Sequence, residues 1–251
     1  MSLKWVHKCF GVLDMINKDF TRLVVEIDYP MTAWGGAAAE EFFKYSLQSM
    51  DMLNSITSSI SHMTQAKISL FYALSLVENS PSSAKENLLQ NQPRCGSMKL
   101  VEDFKVEWLL SGIEEKSCFG KESVVLQAFS AMKSIEFWVL DAILSGMETR
   151  KSAGNFDGSN TNCLNSRFCK EINEKPGAVK EVKEVQDAAM HLAAEISTER
   201  CKEAAKELTR RLVVLENSLQ EIEKQTQFLF SQLLATRNQL LENFRIKRHE
   251  P

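Results

Sequence analysis

Residues 53–83 read LNSITSSISHMTQAKISLFYALSLVENSPSS, and this stretch decides the predicted fold. Between Asp51 and Glu78 the one formally charged side chain is Lys67, although Ser, Thr, Asn and Gln are frequent. Apolar residues recur every three or four positions, which is the spacing of one helix face. They are Leu53, Ile56, Ile60, Met63, Leu70, Leu74 and Val77. Because a solvated helix face normally carries Lys and Glu, we predict a central helix, ending near Val77, that is packed on most of its sides.

A polar site is the alternative interpretation of the same helix. His62 lies in a row of small residues with Ser55, Ser59, Ala66 and Ser69, and an imidazole beside hydroxyl groups has the chemistry of a general acid or base. A catalytic triad, however, needs a geometry that helical spacing alone does not supply. We therefore expect His62 to be a hydrogen-bonded residue of the core.

The remainder of the chain also has the pattern of helices. Ten glycines and five prolines in 251 residues are about half of the average usage. A first helix ends before Pro30, because the residue before a proline avoids the helical region. A third helix spans about residues 98–116, and connecting loops occupy about residues 79–97 and 149–176.

The first of these loops contains a signal for a short turn of helix. Ser83 and Glu86 have the spacing of a capping box, in which each side chain bonds the other residue's backbone N–H. Taken with the long helical segments, this organisation predicts an all-α fold. We expect one domain over residues 1–251, formed by a single bundle of long antiparallel helices.

Residues 122–148, ESVVLQAFSAMKSIEFWVLDAILSGME, form the most apolar segment of the chain. The segment is long enough to cross a bilayer, but Lys133, Glu136 and Asp141 interrupt it. Charges at those depths in a membrane are costly. We therefore predict a buried helix of a soluble protein.

A heptad seam marks the last long helix. Residues 178–250 contain neither glycine nor proline, and apolar positions alternate in steps of three and four. The seam consists of Leu212, Leu215, Leu219, Ile222, Thr226, Leu229, Leu233, Thr236 and Leu240. Such a seam can pack inside the bundle or join two chains as a coiled coil. We favour packing inside the chain, because the other helices need a surface against which to bury their own apolar faces.

Part of this seam is also our candidate surface for contacts with other proteins. The candidate interaction residues are Leu212, Leu215, Leu219, Ile222, Leu229 and Leu233.

Two serines in loops resemble kinase sites, Ser80 before a proline and Ser152 after Arg-Lys. We treat both as candidate phosphorylation sites.

Patterns for catalysis and cofactor binding are missing from the sequence. It contains no phosphate loop, nucleophile elbow, HExxH zinc pair or dinucleotide glycine fingerprint. Its six cysteines lack the spacing of a metal site or of a disulfide framework. We therefore predict a protein that is not an enzyme, with no catalytic residue, no metal and no cofactor. The net charge of −3 gives no reason to expect binding to nucleic acid.

The N-terminal residues argue against export and against plastid targeting. They lack the apolar core of a signal peptide, and transit sequences are poor in acids. Four acids nevertheless occur within the first 30 residues: Asp14, Asp19, Glu26 and Asp28. We expect a cytoplasmic protein that associates with membranes at most peripherally.

Three segments resemble the plant BYPASS family. They are LVVEIDYPMTAW at residues 23–34, YSLQSMDMLNSITSSISHMTQAKISLFYALSLVENSP at residues 45–81, and SQLLATRNQLLENFR at residues 231–245. They follow the family's order and extend over most of the chain, and the serine-rich helix is the most specific of the three.

The resemblance implies an all-helical protein without known catalytic residues that is needed for normal root and shoot development. Family members restrain a mobile root-derived signal, linked to carotenoids, that arrests shoot growth, so the resemblance implies the same role here. We expect the protein to act through contacts with protein partners that the sequence does not identify. The alternative is a peripheral membrane or trafficking adaptor that uses its long helices as a scaffold.

Overall fold

The computed structural model describes residues 1–34, 36–91, 120–147 and 179–249, and all regular structure within these ranges is helical. This confirms the predicted all-α class. The α-helices described are α1 (Leu3–Glu26), α2 (Gly36–Leu76), α3 (Pro81–Gln90), α4 (Lys121–Met147), α5 (Lys180–Glu195) and α6 (Cys201–His249). A 3₁₀ turn, Met31–Ala33, follows Pro30. The predicted helix at residues 98–116 and the predicted loop at residues 149–176 lie outside the described residues.

Contacts between residues divide the chain into two compact units. Of the described residues, the first unit contains 1–6, 56–91, 142–147 and 179–223. The second unit contains 7–34, 36–55, 120–141 and 224–249. The predictions of one domain and of an antiparallel bundle are not decided by this division, and both stay predictions.

Helix α3, in the first unit, begins at Pro81. Ser80 occupies the N-cap position without a side-chain capping bond. Proline suits the first helical position because its missing N–H would be unpaired there anyway and its fixed φ matches the helix. The predicted capping box of Ser83 and Glu86 is therefore wrong, and ten residues of the predicted loop at 79–97 form this helix. Its buried residues are Ala84 and Leu88, and it packs against α5.

Two further contacts hold the first unit together across long distances in the chain. The backbone N–H of Leu3 donates to Glu181 Oε2 at 3.0 Å, at the start of α5. Lys67, the single charge in the middle of α2, lies 2.6 Å from Glu216 Oε1 of α6, and 11% of its side chain is exposed. The pairing explains how a lysine fits within the apolar stripe of α2.

A short break separates α5 from α6, although neither glycine nor proline occurs there. The Thr198 hydroxyl donates to the Glu195 carbonyl at 3.0 Å and accepts from the Arg200 N–H at 3.2 Å. Local bonds of this kind compete with the helical hydrogen-bond pattern. They accompany a change of helix that the spacing of apolar residues did not predict.

The part of α2 in the first unit is buried on one face instead of on most sides. Ser59 and most of the apolar stripe are buried, as expected, whereas Leu74 is half-buried. His62 and Gln65 are exposed, together with Ile68 and Tyr72, whose exposed fractions are 52% and 58%. The prediction of a helix enclosed by other helices is therefore wrong for this part. A single apolar stripe buries one side of a helix, and the described residues of this unit leave part of the other side exposed.

Aromatic rings form the centre of the second unit. The Phe129 ring of α4 lies 5.3–6.0 Å, centroid to centroid, from the rings of Phe20, Trp34, Phe42 and Tyr45. The Tyr45–Phe129 pair is edge to face and the other three are tilted, and an edge-to-face pair contributes about 0.5–1.5 kcal/mol beyond the burial of area. In this unit α2 also buries Ser46, Ser49 and Ser55, so the prediction of a helix enclosed on most sides holds here.

Candidate functional site

A groove between α1 and α6 is the candidate binding site of the second unit. Phe10, Gly11 and Asp14 line it on α1, and Gln225, Phe228, Leu229 and Gln232 line it on α6. Its volume is about 130 Å³, below the ~300–1,000 Å³ of small-molecule pockets. Phe10 and Leu229 are buried, Phe228 is 54% exposed, and a methyl group placed on Gly11 would meet no atom within 4 Å.

Two acceptor oxygens in this groove have no hydrogen-bond donor. Asp14 Oδ1 and Gln225 Oε1 are both buried and unpaired, whereas Asp14 Oδ2 accepts a bond from Lys18 Nζ at 2.6 Å. A buried acceptor without a partner costs free energy that a bound donor would recover. Two of the residues that line the groove therefore retain unused acceptor oxygens beside its apolar side chains.

A second polar arrangement lies inside the same unit, between α2 and α4. Lys133 Nζ of α4 pairs with Glu41 Oε1 of α2, and the side chains are 6% and 16% exposed. One turn further along both helices, the Tyr45 hydroxyl donates to Glu136 Oε2 at 2.5 Å. Both bonds advance in the same direction along the two sequences, so α2 and α4 run parallel at this point. We call these four residues the α2–α4 ladder.

Burial governs the protonation of the ladder. It raises the pKa of Glu136, because desolvation disfavours the carboxylate by more than the bond from Tyr45 favours it. The pKa of Tyr45 is raised well above its usual value, first by burial and then by the neighbouring Glu136. Ser49 Oγ is buried and has no hydrogen bond of ordinary geometry, although it lies close enough to favour the charged forms of both groups. Glu136 is 1% exposed, so the ladder joins α2 to α4 in the interior of the unit.

The raised pKa of Glu136 predicts a pH dependence of stability. A carboxyl with a higher pKa in the folded state than in the unfolded state stabilises the fold fully below its unfolded pKa, and this contribution is lost as the pH rises through the folded pKa. Glu136→Gln, which stays neutral, should therefore gain stability relative to the wild type as the pH rises over a range that begins near the ordinary carboxyl pKa of about 4. Urea unfolding of both proteins across this range measures the difference.

Glu40→Gln is the matched control for this prediction. It removes the same charge one residue before the ladder on α2, from a side chain that is 71% exposed. Its stability relative to the wild type should change less with pH than that of Glu136→Gln. Equal profiles for the two variants would show that Glu136 titrates like a surface carboxyl.

Arg237 joins α6 to α2 and was not predicted from the sequence. One guanidinium nitrogen donates to the Phe43 carbonyl at 2.7 Å and to Ser46 Oγ at 2.9 Å. The guanidinium carbon also lies 5.1 Å from the centre of the Phe43 ring, which is within range of a cation–π interaction. The partners are 191 and 194 residues away in sequence, so no local pattern indicates this contact.

The candidate interaction residues of the seam are all buried within the chain. The exposed fractions of Leu212, Leu215, Leu219, Ile222, Leu229 and Leu233 lie between 0% and 6%. They leave almost no surface for another protein unless the chain rearranges, and their role in binding stays a prediction. Ser80 is exposed at the start of α3, and Ser152 lies outside the described residues.

His62 is exposed, so the expectation of a core histidine is wrong. It lies beside Ser61, on the side of α2 opposite the buried stripe.

Within the described ranges, no group of three or more His, Cys, Asp or Glu side chains is placed to hold a metal ion.

Among the helices that the structure describes, one is long and apolar enough to cross a membrane. It is the segment Lys121–Leu144 of α4, with a mean hydropathy of 1.2 over the most apolar window. Core helices of soluble proteins meet the same criterion. Lys133 and Glu136 both lie in this segment, and both are buried against partners in α2.

Comparison with known protein families gives a match over most of the chain. The family model described as Protein BPS1 matches residues 35–242, which is more than four-fifths of the 251 residues. The matched range includes the serine-rich helix α2, the ladder and the α6 side of the groove. No curated protein and no solved structure gives a significant match.

Proposed function

Since the chain belongs to the BPS1 family, a family of plant developmental regulators, we propose that it restrains the mobile, carotenoid-linked root signal that arrests shoot growth. We further propose that it does so by binding other proteins and without catalysing a reaction. The family match over residues 35–242 is the observation that carries the developmental role.

The α1–α6 groove supports the binding of a protein. Its volume of about 130 Å³ suits one side chain of a partner better than a metabolite. Phe228, half-exposed at its edge, is the kind of aromatic residue that anchors interfaces. The unpaired oxygens of Asp14 and Gln225 favour a partner side chain that ends in an N–H donor.

The two fully buried groups with shifted pKa values support a non-catalytic mode of action. Shifted pKa values often mark active sites, but Tyr45 and Glu136 are both 1% exposed. A reacting group has to come within hydrogen-bond reach of the acid or base that serves it. The two side chains are enclosed by the aromatic core, where their bond contributes to the fold.

Grafting of normal shoots onto transformed roots tests the proposed role. Roots of a plant line that lacks its own BPS1-family protein are transformed with the wild-type chain, with Gly11→Leu or with Gly11→Ala, and each carries a normal shoot. Leucine would fill the groove, since the space over Gly11 is open, and it is also a better helix former than glycine. We expect normal shoots on wild-type and Gly11→Ala roots, and arrested shoots on Gly11→Leu roots. Blocking carotenoid synthesis in those roots should relieve the arrest.

The outcomes separate the role from the site. Arrest on wild-type roots would contradict the developmental role, and normal shoots on Gly11→Leu roots would show that the groove is not the contact surface. Arrest that persists when carotenoid synthesis is blocked would contradict the link to carotenoids.

We also propose that the protein works in the cytoplasm with at most peripheral membrane association. Release of the tagged chain from root membranes by carbonate is expected, and a need for detergent would contradict this location.

A further inference from the structure

An exposed stripe on α2 carries no formal charge. Within the first unit it consists of Ser58, Ser61, Gln65, Ile68, Tyr72 and Ser75. Five of the six are exposed and Ser58 is half-buried. The steps between them alternate between three and four residues, which places all six along one line of the helix. We call this line the α2 stripe.

The composition of the stripe is unusual for a solvated surface. Helix α6 of the same unit shows the ordinary pattern, with Lys202, Glu203, Lys206 and Arg210 exposed. Along the α2 stripe, hydroxyl and amide groups take the place of charges. Lys67 does not contribute a charge there, because it is directed at Glu216 and 11% of its side chain is exposed. His62, which follows Ser61 of the stripe in the sequence, is a titratable side chain beside the α2 stripe.

We infer that the α2 stripe is the surface through which two copies of this chain associate, with the two stripes packed against each other. Spacing in alternate steps of three and four is the geometry by which one helix packs on another. Ile68 and Tyr72, one turn apart and more than half exposed, supply an apolar centre for the contact. The small serines around them let two helix backbones approach closely.

The chemistry of the stripe favours a second copy over a charged partner. Serine and glutamine side chains each donate and accept hydrogen bonds, so the stripe can satisfy an identical stripe across a twofold axis. No like charges meet when the two copies come together. A partner face rich in Lys or Glu would instead lose its hydration without meeting a counter-ion.

The extent of the stripe sets the expected strength. Eighteen residues from Ser58 to Ser75 span about 27 Å of helix, so one helix pair forms the whole contact. Interfaces that bury less than about 1,200 Å² are typical of weak complexes. We therefore expect a reversible monomer–dimer equilibrium, visible when the concentration series extends into the hundreds of micromolar.

Sedimentation equilibrium of the full chain tests this inference. The wild type should show dimer that increases with concentration. Ile68→Lys places a charge at the centre of each stripe, so the two copies repel, and it should weaken dimerisation by at least about tenfold in Kd. Val214→Lys is the matched control, because Val214 is a 43% exposed apolar residue on α6 of the same unit. It should leave the dimer unchanged.

A second variant covers the case in which Ile68→Lys alters the fold. Gln65→Glu keeps the size of an exposed side chain and adds one charge to the stripe, and circular dichroism verifies the helical content of both variants. It too should weaken the dimer. A wild type that stays monomeric over the whole range would overturn the inference. So would a dimer that a folded Ile68→Lys or Gln65→Glu leaves intact, since the contact would then lie elsewhere.

Discussion

Replacing Leu215, Ile222 and Leu229 together with alanine is expected to unfold the protein. The three side chains are 0%, 1% and 4% exposed, so their truncation leaves cavities along α6. Each such truncation typically costs about 2–5 kcal/mol. The combined loss is comparable to the whole stability of a domain, about 5–15 kcal/mol. Circular dichroism during thermal or urea unfolding should show the loss of a cooperative transition.

The matched control shifts the same three changes by one residue. Val214, Glu221 and Phe228 are exposed on α6 with the same heptad spacing, and their replacement by alanine should leave a cooperative transition close to that of the wild type. Sedimentation of the seam variant decides whether the seam packs inside one chain or joins two chains as a coiled coil. A well-folded monomer obtained from a dimeric parent would show that the seam joins two chains, and our expectation of unfolding would then be wrong.

Replacing Lys133 with methionine is expected to cost about 3–5 kcal/mol, the usual loss when one partner of a buried ion pair is removed. Methionine keeps the apolar length of the side chain but leaves the Glu41 carboxylate, 16% exposed, without its cation. Ion pairs on the surface behave differently, because each typically contributes only about 0–1 kcal/mol to the stability of the fold. Lys44→Met is the matched control, because Lys44 pairs with Glu40 on the surface of the same unit.

A double-mutant cycle checks the cause of this loss. Glu41→Gln combined with Lys133→Met removes both charges, and the double variant should recover a substantial part of the stability that Lys133→Met loses. Urea unfolding of the wild type, both single variants and the double variant measures the coupling. Strictly additive losses would mean that the pair contributes nothing as a pair, and that Lys133 acts through its packing.

The buried charges of α4 show the limit of a local pattern. From the sequence, Lys133 and Glu136 argue against a membrane span, and this part of the reasoning needs the two residues alone. Their partners, Glu41 and Tyr45, lie 92 and 91 residues away. Hydrophobic spacing identifies the face of a helix but not the polar groups of another helix that meet it. The ladder could therefore be found only in the folded chain.

The serine-rich part of α2 shows a second limit. Its apolar stripe predicts the buried face, but the absence of charge on the remaining faces does not predict that they are buried. A charge-free face is compatible with enclosure inside one chain and with exposure for contact with another. The two halves of α2 differ in burial, with Ser46 and Ser49 buried and His62 and Gln65 exposed.

The sequence by itself determined the helical class, the buried seam of α6 and the buried stripe of α2, because each depends on residues three or four positions apart in one helix. The start of α3 depends on a proline at the first helical position, and the break between α5 and α6 is accompanied by hydrogen bonds of the Thr198 hydroxyl. The periodicity of apolar residues indicates neither feature. The tertiary structure alone decided which polar groups are paired, that Arg237 joins α6 to α2, and which side of α2 stays uncovered. Those features arise between residues far apart in the chain, and the free energy that places them comes from desolvation and packing that exist only when the helices meet.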